Sequence, residues 1–368
     1  FALDASHGLN RKMTFEAIDI MTRLWTDGAS GFQGEFWSMG ETRSELPGLG
    51  HHLVPYQQPH PPVAIAGLTP GSELTADQSV TLGNKLGVDA LFFGIVEEYG
   101  YSRGDRRRGP EITTVFGLVE TDDGVVLIDS GGSYKGAQKI HQKIKSVTDK
   151  PIRYVINSGG QDHRWFGNDY FSALGATIIS SQKAREDHET RLVDQIGRLT
   201  SLIGDENFTG TREKYADIVF ETNKVLELGG VRFELVHAGQ AHTPGDTFIW
   251  LPDRSVMFSG DIVYVERMLG VGDQSNSKSW VEVFETMAAY QPQIIVPGHG
   301  NPVPLATAEQ DTYRYLLSLR EKVAAFLDEG GDASAISQVD MSEFDYLFNA
   351  ETLSGRNALK VYTELEWE

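Results

Sequence analysis

Four segments carry the residues whose types and spacing suit catalysis: Gln161-Asp162-His163-Arg164, Ala241-His242-Thr243-Pro244-Gly245-Asp246, Ser259-Gly260-Asp261 and Pro297-Gly298-His299-Gly300. His242 and His299 stand among glycine, threonine and proline at tight turns. A bulky polar side chain serves packing poorly there, so both are read as metal ligands rather than core histidines. The chain has no cysteine, so any metal must be held by nitrogen and oxygen, which suits Zn²⁺, Fe²⁺ or Mn²⁺. His237, His188 and His141 fall in strand or helix patterns and are read as structural or exposed.

The elements that must position these residues are legible as alternating apolar runs. Thr113 to Glu120 and Gly124 to Ile128 read as strands joined at Asp122-Asp123-Gly124, a hairpin turn. Asp129-Ser130-Gly131-Gly132 follows, then a helix through Lys145, then a strand from Ile152 to Ile156 running into the His163 segment. Further strands are expected at 91–96, 176–180, 224–228, 231–236, 247–251, 255–258 and 294–296, with helices near 181–203, 277–290 and 306–328. Strands and helices interleave, but the many hairpins argue against a purely parallel sheet.

Composition narrows the function classes. The 368 residues are 40% hydrophobic, enough for a full core and more than one domain. Acidic residues number 52 against 32 basic, for a formal net charge of -20. That charge repels phosphate backbones and anionic lipid, so nucleic acid and membranes are not expected as partners. No apolar run approaches the roughly 20 residues that span a bilayer, and no leader pattern opens the chain, so a cytoplasmic location is the expectation. The first residue is Phe, which leaves a removed leader open. A small-molecule substrate is expected, and a homo-oligomer is compatible with the composition.

In order and at strand ends, the Asp129-Ser130-Gly131, Ala241–Asp246, Ser259–Asp261 and Gly298–Gly300 segments make the region from about 90 to 305 resemble the metallo-β-lactamase fold. The resemblance implies an α+β, four-layer αββα sandwich, with residues 306–368 as a C-terminal helical extension. It also implies that H-x-H-x-D-H should stand where Val155–Asn168 reads Gly159-Gly160-Gln161-Asp162-His163-Arg164. Two histidines of that motif are missing. In the superfamily, the first two histidines of the motif and the one in Ala241–Asp246 hold one metal. The Asp-His pair, a bridging Asp and the last histidine hold the other.

Two alignments compete for the altered motif. A gapped one puts Asp162 and His163 on the second-metal ligands, with Asp261 and His299 completing four. An ungapped one puts Gly159 and Gln161 in place of the two histidines, and His163 and Arg164 in place of the Asp-His pair. Ligand chemistry leans to the gapped one, because an arginine at a ligand position is a permanent cation. Either way a standard two-metal site is lost.

His163, His242, Asp261 and His299 remain, with Asp162 and Gln161 as additions. They suffice for one divalent ion and a metal-bound hydroxide, and so for a hydrolase acting on an ester, lactone or amide. Asp162 and Asp261 are the expected catalytic residues, Asp162 as general base if it is not a ligand. Arg164 and Trp165 are expected to border the pocket, clamping an oxyanion and stacking an apolar group. Tyr264 and the loop 266–272, with Met268 and Leu269, are expected to line the substrate entrance, and Asp246 to brace the His242 loop. The alternative is a binding protein of this fold without metal catalysis.

Residues 1–73 differ. The helical pattern of Met13 to Trp25, then Gly34-Glu35-Phe36-Trp37, then Pro55-Tyr56-Gln57-Gln58-Pro59-His60-Pro61-Pro62 before Val63–Ala66, resembles part of the bacterial luciferase-like flavin monooxygenases. This implies a partial TIM-barrel-derived appendage. A flavin pocket needs the complete barrel, so flavin binding and monooxygenase activity are not expected. His51, His52 and His60 are read as loop residues. Residues 74–110 read as a bridge whose Arg103–Gly109 run is a solvated loop tip.

Overall fold

The structure is a computed structural model and describes residues 16, 32–33, 38–39, 91–99 and 111–368, with side chains described at residue 16 and over 116–368. Most of the luciferase-like segment, His51, His52, His60 and the Arg103–Gly109 run lie outside the described residues. The chain divides into two units, Phe1–Glu73 and Leu74–Glu368. In the first, the described strands are β1 (Phe32–Gln33) and β2 (Ser38–Met39), an antiparallel pair.

In the second unit, β3 (Leu91–Tyr99), β4 (Glu111–Thr121) and β5 (Gly124–Ile128) form an antiparallel meander. Helix α1 (Tyr134–Lys145) starts at Ser133, whose hydroxyl accepts the N–H of Gly136. After β6 (Ile152–Ile156) come the short helices α2 (Asp162–Trp165) and α3 (Asn168–Ala173), β7 (Thr177–Ser181), helices α4 (Gln182–Thr190), α5 (Leu192–Ile203) and α6 (Asp205–Phe208), and β8 (Ile218–Phe220). Strands β5 to β8 run parallel and complete a six-stranded sheet ordered β3-β4-β5-β6-β7-β8.

The second sheet is built from β9 (Asn223–Leu228), β10 (Val231–Val236), β11 (Phe248–Leu251), β12 (Val256–Tyr264) and β13 (Ile294–His299), ordered β13-β12-β11-β10-β9. Only β12 and β13 pair in parallel within it, and helix α7 (Ser277–Ala288) connects them. Beyond lie α8 (Leu305–Ala308), a π-helical turn (Glu309–Tyr313), α9 (Arg314–Asp328) and α10 (Ala350–Leu365).

Three apolar layers hold these elements. Val126, Ile128, Ile156 and Ile179 from one sheet meet Phe233, Leu235, Ile249 and Phe258 from the other. Leu127, Val155 and Ile178 point the opposite way, onto Ile140 and Ile144 of α1. On the far face, Met257 and Ile295 lie in one cluster with Trp280 of α7 and with Leu316 and Val361 of the C-terminal helices. Strand β5 reads Gly-Val-Val-Leu-Ile without alternation because both its faces are covered. The expected α+β sandwich of two mixed sheets with helices outside is therefore the fold. Among the described residues no helix is long and apolar enough to cross a membrane.

Two differences from the expected elements matter. Strand β12 continues six residues past Phe258 through a bulge at Gly260 (φ 52°), so Asp261 lies within a strand that the bulge re-aims. The short strand β8 had no clear pattern, since three residues cannot show a period.

Candidate metal centre

The site lies at the ends of β5, β6, β12 and β13, where the two sheets meet. After β6 the chain turns through Gly159 and Gly160 into α2. A Cβ at Gly159 would stand 2.5 Å from Oδ1 of Asp246, and one at Gly160 would stand 1.8 Å from Oδ2 of Asp187. Any side chain at either position, a histidine included, would displace a buried carboxylate. The turn is held from behind: Nε2 of His188 lies 3.1 Å from the Gly159 carbonyl, and Gln195 donates to the Gly160 carbonyl at 2.8 Å. Arg191, paired with Asp187, also donates to the Gly160 carbonyl.

Helix α2 then presents His163 to the centre. Its Nε2 lies 3.8 Å from Oδ2 of Asp261, and Nε2 of His299 lies 3.3 Å from Oδ1 of Asp261. One ligand atom from each of His163, Asp261 and His299 lies within 4.8 Å of the others, and all three residues are buried. Ligands about 2.0–2.2 Å from a zinc ion stand roughly 3.3–3.6 Å apart in a tetrahedron, so this trio fits one ion with modest contraction.

Arg164 turns the other way, into the protein. Its Nη1 donates to Oδ2 of Asp129 at 3.0 Å, and its Nη2 to Oδ1 of Asp261 at 2.5 Å and to the Gly298 carbonyl at 2.9 Å. Burial alone would raise the pKa of Asp261, but Arg164, followed by His299 and His163, holds it well below the usual carboxylate range. For Asp129 the balance falls the other way: burial outweighs Arg164 and the two bonds from Ser158, and the pKa is raised. His299 is pushed down to about 3 by burial, with the bond to Asp261 opposing, and His242 to about 4 for the same first reason.

His242 stands apart from the trio. Nδ1 meets the Gly270 carbonyl at 3.0 Å, and Nε2 meets the amide nitrogen of Gln161 at 2.5 Å. A neutral ring satisfies both contacts, with Nδ1–H donating to Gly270 and Nε2 accepting from Gln161. Asp246 supports this loop from below: its carboxylate accepts the Thr243 N–H at 2.7 Å and the Thr243 hydroxyl at 2.5 Å. Burial, and then Asp261, raise the pKa of Asp246 to about 8.

Gln161 lies beside His242, and His163 and Arg164 lie beside Asp261. The gapped alignment required Asp162 in that group, but its carboxylate faces Arg198 and the Nδ1 side of His163. Arg164 and Trp165, expected at the pocket border, are 1% and 0% exposed. Two aspartates draw the guanidinium inward, while the indole stacks on His188 and donates to Gln195 at 2.8 Å. Met268 and Leu269 are buried in the C-terminal core cluster rather than facing an entrance, and the Phe348 carbonyl accepts the Met268 N–H. Tyr264 is buried, stacked on His299 at 4.6 Å and edge-on to His242 at 5.6 Å. Its backbone is gripped by Thr312 on the π-helical turn.

Sequence reasoning gave Asp129, Gln195 and Arg198 no role. Only Asp129 had a signal, its place in Asp-Ser-Gly. The other two lie on α5, whose pattern shows an amphipathic helix and nothing of what its polar face meets.

A model of the Metallo-beta-lactamase superfamily matches residues 110–299, more than half of the chain. The chain belongs to the metallo-beta-lactamase superfamily. It is 19% identical over 255 residues to a linear primary-alkylsulfatase of Pseudomonas sp., covering 58% of this chain and 46% of that protein. It is 25% identical over 183 residues to a metallo-beta-lactamase type 2 of Elizabethkingia meningoseptica, covering 49% and 66%. The stereoselective inverting sec-alkylsulfatase Pisa1 from Pseudomonas sp. superposes with a TM-score of 0.55 at 16% identity, over 68% of this chain and 47% of that one. At that identity the likeness speaks for the fold. The chain spans about half the length of the alkylsulfatases it matches.

Proposed function

We propose that this chain is a metal-dependent hydrolase that holds one divalent ion, zinc first among the candidates, on His163, Asp261 and His299. The observation that carries the reading is the convergence of two imidazoles and an ionised carboxylate within 4.8 Å at the strand ends. A bound ion supplies Lewis-acid polarisation of the scissile group and acidifies a water. The chain's own residues do the rest. Arg164 keeps Asp261 ionised and fixes its orientation, Tyr264 packs the His299 ring in place, and Gln161 holds His242 neutral beside the site. A second ion has poor support, since Gly159 offers no donor and the Gln161 amide covers Nε2 of His242.

Small molecules with an ester, lactone or amide bond are the proposed substrates. Sulfate esters are the first to try, given the alkylsulfatase likeness, followed by lactones and amides. The second reading, a binding protein without metal, is favoured by one observation: the Arg164 guanidinium reaches both oxygens of Asp261, at 2.5 and 3.4 Å. Metal analysis with an ester panel separates the two. Close to one zinc per chain, with hydrolysis of at least one ester class and loss of both in His299→Ala, supports the hydrolase. No bound metal in protein prepared with zinc overturns it in favour of the binding protein.

A further inference from the structure

We propose that Asp162 is a positioning residue that sets the ring tautomer of His163, and that Arg198 holds Asp162 in place for this. The inference deepens the metal reading by naming what orients one of its ligands. The Asp162 side chain is 1% exposed, and both of its oxygens are engaged. Oδ1 accepts the backbone N–H of His163 at 2.8 Å and lies 3.3 Å from the ring Nδ1. Oδ2 accepts from Nη1 of Arg198 at 3.0 Å.

An ionised carboxylate can only accept, so the proton of the neutral ring sits on Nδ1. Nε2 is left as the lone-pair nitrogen on the side of Asp261 and His299, the tautomer a metal ligand needs. Free imidazole side chains in water favour the opposite form, with the proton on Nε2, so the preference must be imposed. Arg198 makes it persistent. It projects from α5, is 47% exposed, and ties the buried carboxylate across to that helix, which favours its present orientation. This arrangement removes Asp162 from the roles of ligand and general base.

The test reads the tautomer directly. In metal-free protein labelled with ¹⁵N-histidine, ring-nitrogen NMR, with His163→Gln used to assign the signal, is expected to show His163 protonated on Nδ1. In Asp162→Ala the ring is expected to move to the Nε2–H form or a mixture, and zinc affinity, measured by chelator competition, to fall about 10–100-fold. Arg198→Met is expected to shift part of the His163 ring population to the Nε2–H form and to lose less affinity than the roughly 10–100-fold of Asp162→Ala, and an unchanged tautomer there overturns the part assigned to Arg198. Should Asp162→Ala fail to fold, Asp162→Asn replaces it, with a loss of about three- to tenfold expected from its weaker, uncharged acceptor. Nε2 protonation in the wild type overturns the proposal. So does a fall in affinity with the tautomer unchanged, because loss of the bridge between α2 and α5 alone would produce that. Wild-type protein that binds no zinc sinks the metal reading, while the His163 tautomer still decides this one.

Discussion

Arg164 grips Asp261 with two nitrogens, Nη2 on Oδ1 at 2.5 Å and Nε on Oδ2 at 3.4 Å, and reaches Asp129 with a third. All three side chains are at most 2% exposed. Removing the guanidinium leaves two buried carboxylates without their shared cation, so Arg164→Met is expected to lose about 3–5 kcal/mol in urea denaturation. Arg164→Lys should recover only part of it, because one ammonium cannot reproduce the fork. A loss under 1 kcal/mol in Arg164→Met would show that the triad is not a structural unit.

His299 and His242 should behave differently on truncation. His299 lies 3.3 Å from Asp261 within the trio, while His242 is occupied by Gly270 and Gln161. His299→Ala is expected to abolish stoichiometric zinc binding. His242→Ala should weaken it by no more than about 10–100-fold, the range of an outer partner. Equal loss in both, by metal analysis after dialysis, would make His242 a ligand.

His188 sets a pH dependence. Burial pushes its pKa down to about 3 against an ordinary 6.5, with the Gly159 carbonyl opposing. Between those values the unfolded chain binds a proton that the folded chain does not, so stability from this group is complete above about pH 6.5 and is lost as pH falls toward 3. The slope is about 1.4 kcal/mol per pH unit within the window. His188→Gln keeps a donor toward Gly159 and removes the titration. Its stability curve from pH 6.5 to 4 should be flatter than the wild type's by that amount, and parallel curves would refute the assignment.

Glycines on either side of the site should respond with opposite signs. Gly160→Ala drives a methyl into Asp187 and should cost more than about 2 kcal/mol, the range of core overpacking. Gly197 is exposed, lies in the middle of α5 and has nothing within 4 Å, so Gly197→Ala should gain about 0.5–1 kcal/mol from helix propensity. Thermal melts of the two variants check both signs.

Much of the fold was readable because its signals are local. The hairpin at Asp122-Asp123-Gly124, the strand from Gly124 to Ile128 and the helix ending at Lys145 each depend on residues near in the chain, and the observed elements match them within a few residues. The His242 turn and the strand end at His299 were equally visible, since glycine and proline mark such places through backbone geometry alone, whereas Gly260 marks a bulge inside β12 and not the strand end expected at Asp261.

What the chain's order of residues could not decide was direction. His163 and Arg164 are neighbours and both meet Asp261, yet the imidazole stands on the side of His299 while the guanidinium reaches on to Asp129, because consecutive residues on a helical turn point about 100° apart. Whether Asp162 meets the site or Arg198, and which ring stands beside Asp261 with His163, depended on groups from 36 to 136 residues away along the chain. The residue types set which donors exist and that no thiolate is among them. Only packing of the two sheets, with α2 pinned by α5, set which donors share one centre, because a charged side chain turns toward whatever partner burial leaves within reach.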